Sequence, residues 1–97
     1  MRIRLRLYGV FRTAAGDSQL ELEVLEERPS VRTVITQLVS QEQFKTLKNL
    51  LLEDGTADPR PNALIMVSGR EIGTLNGLET QLGEDEELAL LPVAHGG

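Results

Sequence analysis

Apolar and polar residues alternate at period two in two stretches near the start of the chain. Ile3, Leu5 and Leu7 alternate with Arg2, Arg4 and Arg6. Leu20, Leu22 and Val24 alternate in the same way with Gln19, Glu21 and Glu23. Each is the pattern of a strand with one buried face. The segment between them, from Phe11 to Ser18, ends in turn chemistry at Gly16-Asp17-Ser18. The two strands are therefore expected to form an antiparallel hairpin with a moderately long loop.

The period changes after Pro29. Ser30 is a candidate N-cap, and Val31, Val34, Ile35, Leu38 and Val39 recur on one face of a helix. Each such side chain contributes roughly 1.5–3 kcal/mol when fully buried, enough to clamp one helix onto one sheet face. Phe44, Leu47, Leu50 and Leu51 predict a second, shorter helical stretch ending at Asp54-Gly55. Residues 56–62 contain two prolines and read as a surface loop. Ala63-Leu64-Ile65-Met66-Val67 is a continuous apolar run, the pattern of a strand buried on both sides. Ser68-Gly69-Arg70 predicts a turn, and Glu71-Ile72 the start of a short return strand. Irregular chain with Leu75, Leu78 and Leu82 follows. Gly83-Glu84-Asp85-Glu86 is a turn, and Glu87 to Leu91 is the last strand, closed by Pro92.

Two strands, a helix and further strands predict an α+β domain with helix on one face of a sheet. A crossover through the helix lets the first and last strands lie parallel in the middle of the sheet. That arrangement is the ubiquitin-like β-grasp: a mixed sheet of about four to five strands on one main helix plus a short second helix. Residues 1–92 form the domain, and 93–97 a flexible tail that leaves the sheet rim.

Composition narrows the function. At 97 residues with a 40% hydrophobic share, the chain supports one globular core. It has no cysteine, hence no disulfide, thiolate metal site or sulfur nucleophile on a side chain. No apolar run reaches the roughly 18 residues of a membrane span, and Arg2, Arg4 and Arg6 interrupt any signal-peptide core. A cytoplasmic protein is expected, with no membrane partner. The net charge of -5 argues against nucleic acid as a partner. From Glu53 onward the only basic residues are Arg60 and Arg70, against nine acids. That half is either a solvated acidic face or the complement of a basic partner surface.

The candidate chemistry lies at the end, Ala94-His95-Gly96-Gly97. Two glycines without side chains make a tail thin enough for a narrow enzyme channel. At roughly 3.3–3.6 Å per residue, the stretch from Pro92 to Gly97 reaches about 20 Å. The α-carboxylate of Gly97, with a reference pKa of about 3.5, is ionised at neutral pH and needs a good leaving group before it becomes electrophilic. Elsewhere there is no catalytic triad, no set of metal ligands and no phosphate-binding loop. His95 is the single histidine and cannot hold a metal alone, so it reads as solvent-exposed filler. By strand alternation Tyr8 shares a face with Arg2, Arg4 and Arg6. With Leu88 and Leu90 inward, Leu91 also points out. If the two strands are neighbours, Tyr8 and Leu91 form an apolar docking patch at the root of the tail.

These residues resemble the small sulfur carriers of the ubiquitin-like superfamily, the MoaD/ThiS type, closest to the small subunit of molybdopterin synthase. The resemblance covers nearly the whole chain. It rests on Tyr8-Gly9-Val10-Phe11-Arg12, on the helix from Ser30, and above all on the stretch from Gly83 to Gly97 with its acidic turn, final strand, proline and Gly-Gly. Thiamin-pathway carriers share the fold and the Gly-Gly but tend to be shorter. His95 is a departure, since the family more often has a small residue there. The resemblance implies a non-catalytic subunit with no stably bound cofactor. A ubiquitin-activating-like adenylyltransferase uses ATP to adenylate Gly97, and sulfide equivalents then displace AMP to leave a thiocarboxylate. The large subunit of molybdopterin synthase, with which the family forms a heterotetramer, consumes it. Ala94, His95 and Gly96 enter the activating enzyme, and Tyr8 and Leu91 dock partners. Three readings stay open: a sulfur carrier for molybdopterin, thiamin or tRNA thiolation; a modifier joined to target lysines through Gly97; or an interaction module whose terminus is irrelevant.

Overall fold

Five strands form one mixed sheet in a computed structural model that describes residues 1–93. Strand β1 is Arg2–Leu7, β2 Gln19–Glu23, β3 Ala63–Val67, β4 Arg70–Glu71 and β5 Glu87–Pro92. Their order across the sheet is β2-β1-β5-β3-β4. The first and last strands lie side by side and parallel, with Leu5 opposite Leu88 and Leu7 opposite Leu90. All other pairings are antiparallel. The fold is the expected α+β β-grasp.

Alternation decides which face is covered. Ile3, Leu5, Leu7, Leu22, Ala63, Ile65, Val67, Leu88 and Leu90 are all buried on the same side of the sheet. Helix α2, Val31–Val39, packs there through the five apolar residues its spacing predicts. Ser30 caps it, its Oγ accepting from the Thr33 amide at 3.1 Å. Helix α3, Lys45–Leu51, follows a single 3-10 turn at Glu42–Phe44 and inserts Leu47 and Leu51 into the same core. It ends at Leu51, short of the expected Asp54-Gly55, because Leu52 is already extended.

The loop expected between the first two strands is in part a helix, α1, Gly9–Ala15. It is seven residues long and buries one side chain, Phe11. So short a helix is held by tertiary packing rather than propensity, and a single buried residue leaves no periodicity to read. Gly16 ends it in the left-handed region at φ 83°, donating its N–H to the Arg12 carbonyl. The β3–β4 turn has positive φ at both Ser68 (48°) and Gly69 (83°), the type I′ geometry that suits a two-residue hairpin. Arg70 already belongs to β4, and Ile72 starts a 3-10 turn instead of continuing the return strand. Ile72 is buried, so its place in the core ends the edge strand after two residues.

Candidate functional site

The face of the sheet left open by the helices divides into two halves. On the β2–β1 side it is charged. Arg2 and Glu21 pair at 3.5 Å, Arg6 and Glu87 at 3.5 Å, and Arg4 donates to the Asp85 carbonyl at 2.7 Å. The Arg6 Nε is buried and makes no hydrogen bond, so Glu87 holds it by charge alone. The Arg2–Glu21 pair is exposed to water and contributes little to stability.

On the β5–β3 side the same face is apolar. Leu64 stands opposite Leu91, and Met66 opposite Ala89. Directly opposed side chains in an antiparallel pair have β-carbons about 4.5–5.5 Å apart, so these four make one continuous surface. Leu64 is 40% exposed, and Met66, Ala89 and Leu91 are half-buried. Run Ala63–Val67 is therefore not buried on both sides, as its continuous apolarity suggests. Helices cover only one face of this sheet, and the other presents Leu64 to solvent.

Tyr8 completes the patch. Its backbone is extended, and its N–H donates to the Leu90 carbonyl at 3.2 Å, continuing the parallel β1–β5 ladder. One further step in that register sets Tyr8, 41% exposed, alongside Leu91. The structure thus brings together the two residues that alternation places on this face. It adds Leu64 and Met66, which sequence reasoning misses because an all-apolar strand gives no sign of which side is covered.

Beyond Leu91 the chain is fixed for two more residues. Pro92 closes β5 opposite Ala63, and the Val93 amide donates to the Asn62 carbonyl at 3.0 Å. The Asn62 side chain in turn donates to the Leu51 carbonyl at 3.2 Å, joining the end of α3 to the residue that binds Val93. The loop leading to Asn62 is held by Asp58, whose carboxylate accepts hydrogen bonds from the backbone amide, Nε and Nη2 of Arg60, at 2.9, 2.9 and 2.7 Å, with a longer contact from Nε to its second oxygen at 3.2 Å. Hydrogen bonding from the Arg60 side chain holds the Asp58 carboxyl below the ordinary aspartate range. Val93 is 40% exposed. Ala94, His95, Gly96 and Gly97 lie outside the described residues.

Among the described residues no group of three or more acidic or histidine side chains is placed to hold a metal ion. No helix there is long and apolar enough to cross a membrane. What the arrangement offers is a folded platform whose exposed apolar surface adjoins the point where the chain leaves the sheet.

Comparison with known proteins gives a consistent picture. No protein-family model matches the chain. It is 34% identical to the "Putative sulfur carrier protein" of Archaeoglobus fulgidus, and 28% identical to small archaeal modifier protein 3 of Haloferax volcanii. Each alignment covers 100% of both chains. Among solved structures, small archaeal modifier protein 1 of Methanosarcina acetivorans superposes with a TM-score of 0.78 at 29% identity, over 99% of this chain and 96% of that one.

Proposed function

We propose a role for a chain that belongs to the MoaD/ThiS-type family of ubiquitin-like sulfur carriers and modifiers: it works through the activated carboxyl group of Gly97. A ubiquitin-activating-like adenylyltransferase binds the domain and draws in Ala94, His95, Gly96 and Gly97. The Gly97 carboxylate attacks the α-phosphorus of ATP, pyrophosphate leaves, and the glycyl carbon becomes an acyl adenylate. A sulfide equivalent then attacks that carbon; the C–S bond forms and the C–O bond to AMP breaks. The product is a C-terminal thiocarboxylate, and the chain needs no cysteine and no bound cofactor to carry it.

The observation that carries this reading is the shared rim. Tyr8, Leu64 and Leu91 form an exposed apolar surface, and the strand bearing Leu91 runs within two residues into the tail. A partner seated on that surface is positioned to receive Gly97. Apolar docking supplies the affinity, while the tail delivers the reacting atom. For the acceptor we propose the large subunit of a molybdopterin synthase, which would use the sulfur to build the dithiolene. The domain itself positions and presents, and catalysis belongs to its partners.

A second reading has a specific observation in its favour: one full-length relative is a small archaeal modifier protein. In that reading the amine of a target lysine attacks the same acyl carbon, and Gly97 ends in an isopeptide bond. Both fates share the activation step. ATP–pyrophosphate exchange by the activating enzyme tests that step. With Gly97→Ala, which adds a methyl beside the reacting carbon, exchange is expected to fall sharply while the domain stays folded. Exchange at the normal rate would remove Gly97 from the mechanism.

A further inference from the structure

Two surfaces at opposite ends of the molecule take no part in the chemistry of Gly97, and they complement each other. Helices α1 and α3 pack together on the helical side, and α1 starts against Pro92, at the end of β5. Neither helix contains an acid, in a chain that has 15. Their charged residues are Arg12, Lys45 and Lys48, all exposed. Every ion pair among the described residues uses Arg2, Arg6, Arg32 or Arg60, so these three cations have no ion-pair partner there. Glu42 shares a shallow recess with the two lysines but forms no ion pair with either. The same helices leave two large apolar side chains in water, Val10 at 54% exposure and Leu50 at 39%.

The far end carries the reverse charge. Because β1 and β5 run parallel, the end away from Pro92 holds Met1 and the start of β5 at Glu87. There Leu25, Glu26, Glu27, Arg28 and Glu84 gather with Met1 around a recess of about 470 Å³. The three glutamates outnumber Arg28, and the Met1 amine is already engaged by the Val24 carbonyl. Leu25 is 100% exposed, more than any other large apolar residue described. Its loop is pinned at both ends. The Val24 amide donates to the Met1 carbonyl and the Leu82 amide to the Pro29 carbonyl, each at 2.8 Å, and Val24 and Pro29 are buried. Between these anchors the loop turns Leu25 outward among the acids.

We propose that the two ends bind each other in different copies, without a covalent bond: the Leu25 loop of one molecule docks on the α1–α3 face of the next. Leu25 meets Val10 and Leu50, while Glu26, Glu27 and Glu84 face Arg12, Lys45 and Lys48. The two contact surfaces differ, so the contact is head-to-tail and copies add end to end. The net charge of -5 opposes association only at long range. At physiological ionic strength charges are screened beyond about 8 Å, so repulsion between the bodies of two molecules is damped while opposite charges in contact still attract. So few side chains make a small interface, of the weak and transient class. The open sheet face is not used, and Tyr8, Leu64 and Leu91 stay accessible to other partners.

Sedimentation equilibrium of the full chain tests this from about 10 μM to about 1 mM, where weak contacts show. The expected average mass rises with concentration without levelling at a dimer. It returns to that of a single chain in about 1 M salt, where the screening length is about 3 Å. Leu25→Ser should weaken the association by roughly tenfold or more, the scale for withdrawing a leucine from a contact. Lys45→Glu/Lys48→Glu and Glu26→Lys/Glu27→Lys should each stay single, since like charges then meet. Mixing the two variants should restore association, because every reversed charge again finds an opposite one; that rescue separates a lost contact from a lost fold. A single-chain mass at every concentration overturns the assignment, as does an α1–α3 face that takes only some other acidic protein. Association that survives in each charge-reversed variant alone, or that Leu64→Asp abolishes, places the contact elsewhere and overturns it too.

Discussion

Gly9 faces Pro92: a β-carbon built on Gly9 would lie 2.9 Å from Cγ of the proline, and Gly9 holds a φ of +54°. The start of α1 thus meets the end of β5. Only glycine satisfies both the backbone and the contact. Gly9→Ala is expected to destabilise the domain by about 1–3 kcal/mol, the usual scale for backbone strain of this kind. Denaturant titration reads it, and an unchanged midpoint would mean that neither the φ nor the proline contact constrains this position.

Aspartate at Tyr8 and Leu91 together places two charges in the apolar half of the open sheet face. Both side chains are partly exposed, so the domain should keep its fold. Binding to the activating enzyme and to the acceptor subunit is expected to be abolished. Leu64→Asp alone should weaken binding by roughly tenfold, about 1.4 kcal/mol. Calorimetric titration measures both, and full affinity in the double variant would move the docking site elsewhere.

Asn62→Ala removes the donor to the Leu51 carbonyl but leaves the backbone bond to Val93. The expected loss is about 1 kcal/mol, the net worth of one hydrogen bond. Its signature is local: the Val93 amide should exchange faster with solvent than neighbouring β5 amides. Unaltered protection at Val93 would show that the side chain of Asn62 has no part in holding Val93.

Acid should release the same loop late. Asp58 is held below the ordinary aspartate value by Arg60, so its contribution is fully present above the unfolded value of about 3.9. It is lost as pH falls through the lower, folded value. Carboxyl chemical shifts followed from neutral to acid pH should show Asp58 titrating below the ordinary aspartate value, and Arg60→Gln should bring it back up. The pair is largely exposed, so the effect on global stability is small. An Asp58 that titrates at the ordinary aspartate value would show that Arg60 does not hold it.

Periodicity carries most of this fold because most of its elements bury one face. Val31, Val34, Ile35, Leu38 and Val39 mark α2, and the alternation in β1, β2 and β5 orients each strand correctly. It is silent where an element buries one residue, as in α1 with Phe11, or is apolar on both faces, as in β3. Leu64 and Met66 are legible as strand residues but not as surface, since which side the helices cover is decided by topology. Asn62 gives no sequence signal: its role comes from a loop that passes between the end of α3 and the end of β5. Tyr8 and Leu91 are legible together because β1 and β5 run parallel and adjacent, so two separate alternations add up to one patch. Gly96 and Gly97 lie outside the described residues, and their role is proposed from residue type and position.

The most direct measurement of the central claim is the mass of the C-terminal peptide Leu88–Gly97, released by cleavage after Glu87 from protein taken from its host in sulfur-replete growth. The account predicts a fraction with one oxygen replaced by sulfur at Gly97, or with Gly97 bonded to a lysine, and neither in Gly97→Ala. A terminus that is always a plain carboxylate, in a protein that fulfils its cellular role equally well without Gly96 and Gly97, would contradict it.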